Sequence, residues 1–266
     1  MSNDEFIVLL ASLAFGPAAW GILFFRLAGL QRFRGRRTHL PTLAGALGAC
    51  TLVLMLILLR YSAPDVRHAP QYLLLYLVLG LAWLRASAYG FTYAGLSLRD
   101  DVIERGNAAA LAAVSGALAG VNFCYAGSNI GSGPGWWVVV FSGALATVGL
   151  GAIWLLVDQM TGVNDLVTID RDPAAGARLG GLLAASGLIF GRAVAGDWNS
   201  VQATVEDFAR IGWVVLPVAG AALLVERVAK PTVARPHPSA AAAGALPALV
   251  YLLFAAAYIL AIGWPP

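Results

Sequence analysis

Eight long apolar runs, separated by short polar segments, dominate this chain of 266 residues. An α-helix needs about 20 apolar residues to cross a hydrocarbon core of about 30 Å. With only 12% charged residues and a mean hydropathy of +0.77, the chain is far less charged than a soluble domain, which carries roughly 25%. The runs are continuous and lack the alternation of barrel strands. The sequence therefore predicts an all-α polytopic membrane bundle of about eight transmembrane helices.

The predicted spans cover approximately residues 6–30, 40–61, 71–97, 107–126, 135–160, 174–196, 208–225 and 240–264. The seventh is short and contains Pro217, so it is the least certain to cross the bilayer. Glycine is abundant inside the spans, as in the series Gly176, Gly180, Gly181 and Gly187. Small residues let membrane helices approach closely, so these glycines indicate tight helix packing rather than a ligand site.

The basic residues predict the orientation of the bundle. One set of loops carries most of them: Arg32, Arg34, Arg36, Arg37, Arg99, Arg105, Arg171, Arg178, Arg227, Lys230 and Arg235. The other set carries Arg60, Arg67, Arg192 and Arg210. By the positive-inside rule the first set is cytoplasmic, which places both termini outside a bacterial inner membrane. The net charge of +3 is then explained by topology and contact with membrane lipids, and no nucleic-acid partner is predicted.

An internal repeat organises the centre of the sequence. Ile103-Glu104-Arg105 followed by Ala108-Ala109 returns 66 positions later (169 − 103) as Ile169-Asp170-Arg171 followed by Ala174-Ala175. Each copy contains two spans, so the copies share one orientation and form a parallel repeat of helical hairpins. We expect a two-helix segment at 1–69, a four-helix repeat core at 70–197 and a two-helix segment at 198–266, and we expect the two charged turns side by side.

Both turns carry residues that start helices. Asn107 and Asp172 are typical N-caps, and Pro173 suits a first helical position. Acidic Glu104 and Asp170 are favoured near helix N-termini. The candidate residues of the cytoplasmic turns, Glu104, Arg105, Asn107, Asp170 and Arg171, thus form helix caps with ion pairs, or else a cytoplasmic vestibule or an edge that docks a partner.

The stretch Arg99-Asp100-Asp101-Val102-Ile103-Glu104-Arg105-Gly106-Asn107-Ala108-Ala109-Ala110 resembles the bacterial membrane family catalogued as domain of unknown function 350. The resemblance covers roughly residues 72–196, and Glu104 to Ala110 is its most specific part. In the second copy Asp172-Pro173 stands at the place of Gly106-Asn107. The resemblance implies a multi-pass inner-membrane protein built from paired helices, with no established activity.

Arg85 is the charged residue predicted to lie deepest in the membrane. Such a residue costs roughly 2.5 to 3.5 kcal/mol at the bilayer centre and usually faces a protein interior or a wet cavity. Tyr89 and Tyr93 share its helical stripe. Counting along the helices places Asn122 at a similar depth, with Tyr125 nearby. These five residues form a candidate midplane site, and we expect Arg85 to meet Asn122.

Patterns for catalysis and for cofactors are weak. The histidines His39, His68 and His237 fall in loops without ligand spacing, and the glycine-rich segment 127–135 lacks the lysine of a phosphate loop. We predict no catalytic, cofactor or metal site. Segment 127–135 is interpreted as a flexible outer turn, with a re-entrant segment along an ion path as the alternative.

Two function classes remain open, with an unrecognised lipid-active enzyme as a further alternative. The first is a protein that translocates or binds a small polar or anionic solute at Arg85. The second is a non-transporting scaffold or sensor subunit of an envelope assembly. A homo-oligomer or an envelope-protein partner is compatible with either class.

Overall fold

The computed structural model describes residues 1–34, 39–232 and 239–263. The described part consists of helices joined by turns. Eight helical segments are long and apolar enough to span a membrane: α1 (Asn3–Gly29), α2 (Leu40–Tyr61), α3 (Pro70–Tyr93), α4 (Ala108–Gly127), α5 (Trp136–Thr161), α6 (Pro173–Ala193), α7 (Val201–Ala229) and α8 (Ala240–Ile262). The predicted class, an all-α membrane helix bundle, is confirmed. Residues 35–38 of the basic cluster, and His237, lie outside the described ranges.

The connections alternate between two faces of the bundle. On the terminal face, which carries the first and last described residues, Trp136 Nε1 donates to Asp4 Oδ2 at 3.1 Å and Arg192 Nε donates to the Gly263 carbonyl at 3.0 Å. On the turn face, which carries the segments 94–107 and 162–172, Asn107 Nδ2 donates to the Val167 carbonyl at 2.7 Å. The two charged turns therefore contact each other, as the sequence predicted.

The seventh span is longer than predicted and is made of two helices. Val201–Gly212 and Val215–Ala229 meet at Trp213 and Val214, so the break does not lie at Pro217. Pro217 occupies the first turn of the second helix, where a backbone N–H has no intrahelical acceptor. The proline is tolerated there because it removes no helical hydrogen bond.

The third span is shorter than predicted. Helix α3 ends at Tyr93 rather than Ser97, and a π-helical turn, Leu98–Glu104, follows. Ser97 begins this turn by accepting a hydrogen bond from the Asp100 N–H. This early end changes the depth at which the α3 side chains lie.

Helices α4 and α6 pack against each other along their whole length. A Cβ added to Gly187 would lie 2.2 Å from the Gly120 carbonyl oxygen, and one added to Gly116 would lie 2.2 Å from that of Gly180. Contacts this short exclude any side chain, so the small residues set the distance between the helices. The predicted role of these glycines in close packing is confirmed, and α4 and α6 form the centre of the bundle.

Candidate functional site

Arg85 lies in a groove on the side of the bundle between α1 and α3. Its side chain is 8% exposed, and Nη2 donates to the Tyr89 hydroxyl at 2.7 Å. The guanidinium lies 3.9 Å from the centre of the Tyr89 ring and 5.5 Å from that of Trp20. Trp20 is held in place because its Nε1 donates to the Leu81 carbonyl at 3.0 Å. Aromatic faces of this kind stabilise a cation.

The groove around Arg85 encloses about 690 Å³. Its lining comes from α1, α3 and the turn that follows α3: Leu23, Arg26, Leu27, Gly29, Arg85, Ala88, Tyr89, Thr92, Ser97, Leu98, Arg99 and Asp100. We call it the arginine groove. Most of its lining surface is apolar, and three arginines and one carboxylate, Asp100, are among the lining residues.

Arg85 has no acidic partner within the described ranges. No described carboxylate oxygen lies within 4.0 Å of its guanidinium, and its buried Nε has no hydrogen-bond acceptor. At the rim, Arg99 Nε pairs with Glu104 at 2.9 Å, and Asp100 accepts from the Ser97 hydroxyl at 2.9 Å. The positive charge deepest in the groove is therefore not neutralised by the surrounding described residues.

No hydrogen bond joins Arg85 to Asn122 among the described residues. Arg85 lies eight residues (93 − 85) before the end of α3, about 12 Å from the turn face, whereas Asn122 lies 14 residues (122 − 108) into α4, about 21 Å from it. Asn122 is buried, and its Oδ1 has no hydrogen-bond partner. The estimate from sequence assumed that α3 continues to Ser97, which placed Arg85 too deep.

Only Tyr89 of the three predicted tyrosines reaches Arg85. Tyr93 is 93% exposed and does not line the groove. Tyr125 is buried within the bundle, where its hydroxyl donates to the Tyr76 carbonyl at 2.8 Å and its ring lies 5.9 Å from that of Trp83. Tyr125 therefore packs α3 against α4 away from the arginine groove.

The residues of the charged turns act mainly as caps and ion pairs. Asn107 accepts hydrogen bonds from the N–H groups of Ala109 and Ala110, and Asp172 accepts one from that of Ala174. Both predicted caps are thus present. Arg105 Nη1 pairs with Asp101 at 2.9 Å. Asp170 and Arg171 are exposed on the turn face.

Backbone features of the two turns correspond at a spacing of 65 residues. The Asn107 N–H donates to the Asp101 carbonyl and the Asp172 N–H to the Leu166 carbonyl. Gly106 and Arg171 (171 − 106 = 65) both adopt positive φ, at 62° and 55°. This spacing is one less than that of the sequence motif. Arg171-Asp172, rather than Asp172-Pro173, therefore occupies the place of Gly106-Asn107.

A buried ion pair joins α6 to α7 and was missed from the sequence. Arg178 Nε and Nη2 contact the two carboxylate oxygens of Glu226 at 2.6 and 2.8 Å, and Arg178 Nη1 donates to the Ala243 carbonyl at 2.6 Å. The Arg178 side chain is 1% exposed. Arg178 had been counted among the loop charges because it follows the start of α6 by only five residues (178 − 173). A carboxylate within the last turn of an apolar span, Glu226, was the available signal.

A second cavity, of about 610 Å³, opens on the terminal face. It lies among the start of α1, the segment 62–76, the glycine-rich segment 128–135 and the segment 192–199, and we call it the terminal cavity. The glycine-rich segment is fixed by hydrogen bonds. Gly196 N–H donates to the Ile130 carbonyl at 3.0 Å, and Ser132 N–H donates to Asp197 Oδ1 at 2.7 Å. The interpretation of this segment as a simple flexible turn omitted these contacts.

The two cavities are separate. No residue lines both of them, and the α4–α6 contact fills the centre of the bundle. Within the described ranges, no group of three or more His, Cys, Asp or Glu residues is arranged to hold a metal ion.

Comparison with known proteins finds no matching family model, no similar curated protein and no similar solved structure.

Proposed function

We propose that the chain is a multi-pass protein of the bacterial inner membrane that binds the anionic headgroup of a lipid in the arginine groove. The observation that carries this proposal is a buried guanidinium, Arg85, at a cavity with a largely apolar lining surface and without an acidic partner in the described ranges. This is a refinement of anionic-solute binding at Arg85, with the binding position moved from the bundle centre to its side.

Two buried arginines among the described residues, Arg85 and Arg178, support the need for an anion. Arg178 is matched by a bidentate carboxylate from Glu226 and by a carbonyl. Arg85 has one tyrosine hydroxyl and two aromatic faces. Removing a charge from water without a counter-charge is costly. An anion bound beside Arg85 supplies the interaction that Glu226 supplies to Arg178.

The position of the groove favours a lipid over a free solute. Tyr89 forms one wall, lies inside a membrane span and is 54% exposed, so this wall borders lipid. Leu23 is partly exposed and suits an acyl chain, while Arg26 and Arg99 are exposed and suit a phosphate. Because arginine side chains extend toward the interface, Arg85 reaches a headgroup from its position about 12 Å below the end of α3.

The proposed orientation agrees with this ligand. The turn face carries most of the loop arginines, and by the positive-inside rule this supports a cytoplasmic turn face with both termini outside. The cytoplasmic leaflet is rich in anionic lipids, and basic residues near it gain about 1 kcal/mol each. The groove then opens beside the leaflet that supplies its ligand.

The matched backbone features at a spacing of 65 residues support a parallel repeat of two hairpins, α3–α4 and α5–α6. Membership in the family catalogued as domain of unknown function 350 remains a proposal based on Glu104 to Ala110. The division into segments 1–69, 70–197 and 198–266 also remains a prediction.

A second function, a non-transporting scaffold or sensor subunit, is favoured by one observation. The two cavities share no lining residue, and α4 and α6 pack without space between them. Lipid binding at the side of the bundle is compatible with this function, whereas translocation through its centre would need these helices to separate. An envelope-protein partner or a second copy of the chain would complete such an assembly.

The test is native mass spectrometry of the purified protein with phosphatidylglycerol, phosphatidylcholine or inorganic phosphate. Wild type is compared with Arg85→Met and with the control Arg210→Met, an exposed arginine of the terminal face. A hydrogen bond to a charged group contributes about 1.5–3 kcal/mol, so Arg85→Met should weaken phosphatidylglycerol binding by about 10-fold to 100-fold.

Three results decide the proposal. Preferential binding of phosphatidylglycerol that is lost only in Arg85→Met supports it. Equal binding of phosphatidylglycerol and phosphatidylcholine, or equal loss in both variants, contradicts it. If inorganic phosphate binds in an Arg85-dependent manner and the protein shows no preference among lipids, the ligand of the groove is a free anion and the lipid proposal is contradicted.

A further inference from the structure

We propose that the terminal cavity binds a small hydrophilic organic cation, such as an amine that also carries hydroxyl or further amino groups. This site is independent of the arginine groove: it lies on the other face and has no lining residue in common with it. Its volume of about 610 Å³ lies within the range of roughly 300–1,000 Å³ that is typical of small-molecule sites.

The floor of the cavity presents polar groups whose hydrogen-bonding capacity is unused. Ser142 is 3% exposed and lines the cavity, and its hydroxyl makes no hydrogen bond to the described residues. Asn129 is 5% exposed; its amide nitrogen donates to the Tyr125 carbonyl at 2.8 Å, which leaves its side-chain oxygen as an acceptor. Buried polar groups are normally hydrogen-bonded. A ligand with hydrogen-bond donors, or water, therefore satisfies the hydrogen-bonding capacity of these two side chains.

The charge of the walls selects a cation. Four carboxylates line the cavity, namely Glu5, Asp65, Asp197 and Asp207, against two arginines, Arg192 and Arg210. Arg210 is paired with Asp207 at 2.7 Å. Arg192 is the other cation of the lining, and the carboxylates Glu5, Asp65 and Asp197 outnumber it, so the lining keeps an excess of negative charge. A concave surface of one sign concentrates ligands of the opposite sign.

The acceptors suit an amine better than a bare metal ion. The carboxylates stand on four different segments, and the described residues hold no group of three or more metal-binding side chains. An ammonium group can donate to one carboxylate at the rim, while further hydroxyl or amino groups of the ligand reach Ser142 and Asn129 on the floor. The ligand class therefore combines a positive charge with several hydrogen-bonding groups.

The shape of the cavity depends on close contact between two loops. Gly131 adopts φ of 99° and Gly196 of 133°, and a Cβ at Gly131 would lie 2.4 Å from the Gly196 carbonyl carbon. Only glycine permits both the backbone conformation and this approach. The close contact between these two loops therefore fixes the shape of the cavity.

The test is a thermal-shift titration of the purified full chain with putrescine, with ethanolamine, and with the uncharged analogue butanediol. Putrescine or ethanolamine should raise the midpoint of unfolding in a saturable manner, because a ligand of the folded state stabilises it by mass action. Asp65→Asn and Ser142→Ala should each raise the apparent Kd by about tenfold or more. Asp170→Asn, an exposed acid on the turn face, is the matched control and should leave Kd unchanged.

Stabilisation by an amine that is weakened in both cavity variants and retained in Asp170→Asn supports the site. Equal stabilisation by butanediol overturns the requirement for a cation. A Kd unchanged in Asp65→Asn and Ser142→Ala overturns the location, and absence of stabilisation by both amines overturns the ligand class. Magnesium chloride at equal ionic strength controls for screening, and an equal saturable effect of magnesium overturns the choice of an organic ligand.

Discussion

Removing one partner of the buried pair between Arg178 and Glu226 should be among the most destabilising single changes in this protein. The two side chains are 1% and 5% exposed and share two contacts, at 2.6 and 2.8 Å. In Glu226→Gln an amide N–H₂ replaces one carboxylate oxygen and faces an arginine donor, so a buried charge is left without its counter-charge. Such a loss costs about 3–5 kcal/mol.

The double variant Arg178→Met/Glu226→Met separates this cost from the net value of the pair. Replacing a buried pair by apolar residues is neutral or stabilising by about 1–4 kcal/mol. The Ala243 carbonyl loses a donor in the double variant, which costs about 1–3 kcal/mol. The two effects largely cancel, so the free energy of unfolding of the double variant should lie within about 2 kcal/mol of that of wild type.

The assay is equilibrium unfolding in mixed micelles, followed by helicity. The control Asp207→Asn breaks an exposed pair, in which the side chain of Asp207 is 52% exposed and that of Arg210 is 76% exposed. This change should lower the free energy of unfolding by at most about 1 kcal/mol. A Glu226→Gln variant that loses no more stability than Asp207→Asn would refute the reasoning. A double variant destabilised by more than Glu226→Gln alone would also refute it.

Three further predictions concern packing, capping and orientation. Gly187→Ala should destabilise the fold by about 1–3 kcal/mol, whereas Gly220→Ala, whose Cβ would meet no atom within 4 Å, should be neutral or slightly stabilising; thermal unfolding of both variants checks this. Asn107→Ala removes two cap hydrogen bonds and one bond to the neighbouring turn, so it should cost about 2 kcal/mol in the same assay. An impermeant maleimide should label Asn199→Cys but not Asp170→Cys in spheroplasts, since the terminal face is proposed to be outside. The reverse labelling would invert the proposed topology.

The spans and caps could be predicted because their causes are local in sequence. Runs of apolar residues identify the helices, and Asn107 and Asp172 each act on N–H groups two or three residues later. Arg85 could likewise be recognised as unusual from its apolar surroundings, and Tyr89 from its place one turn further along α3.

The partners across helices could not be predicted in this way. Glu226 lies 48 residues from Arg178, and nothing local relates them. The contact of Arg85 with Trp20 of α1, instead of Asn122 of α4, depends on how each helix is rotated about its axis and on where α3 ends. An error of four residues in the predicted end of α3 shifts the predicted depth of a side chain by about 6 Å. This shift is enough to assign the side chain to the wrong neighbours.

The central proposal, that Arg85 binds a lipid headgroup, is tested most directly by an experimental structure of the protein in nanodiscs that contain phosphatidylglycerol. The account predicts phosphate density in the arginine groove at hydrogen-bonding distance, about 3 Å, from the Arg85 guanidinium, with an acyl chain along Leu23. A groove without a phosphate, in which Arg85 is instead paired with a carboxylate of the protein, would contradict it.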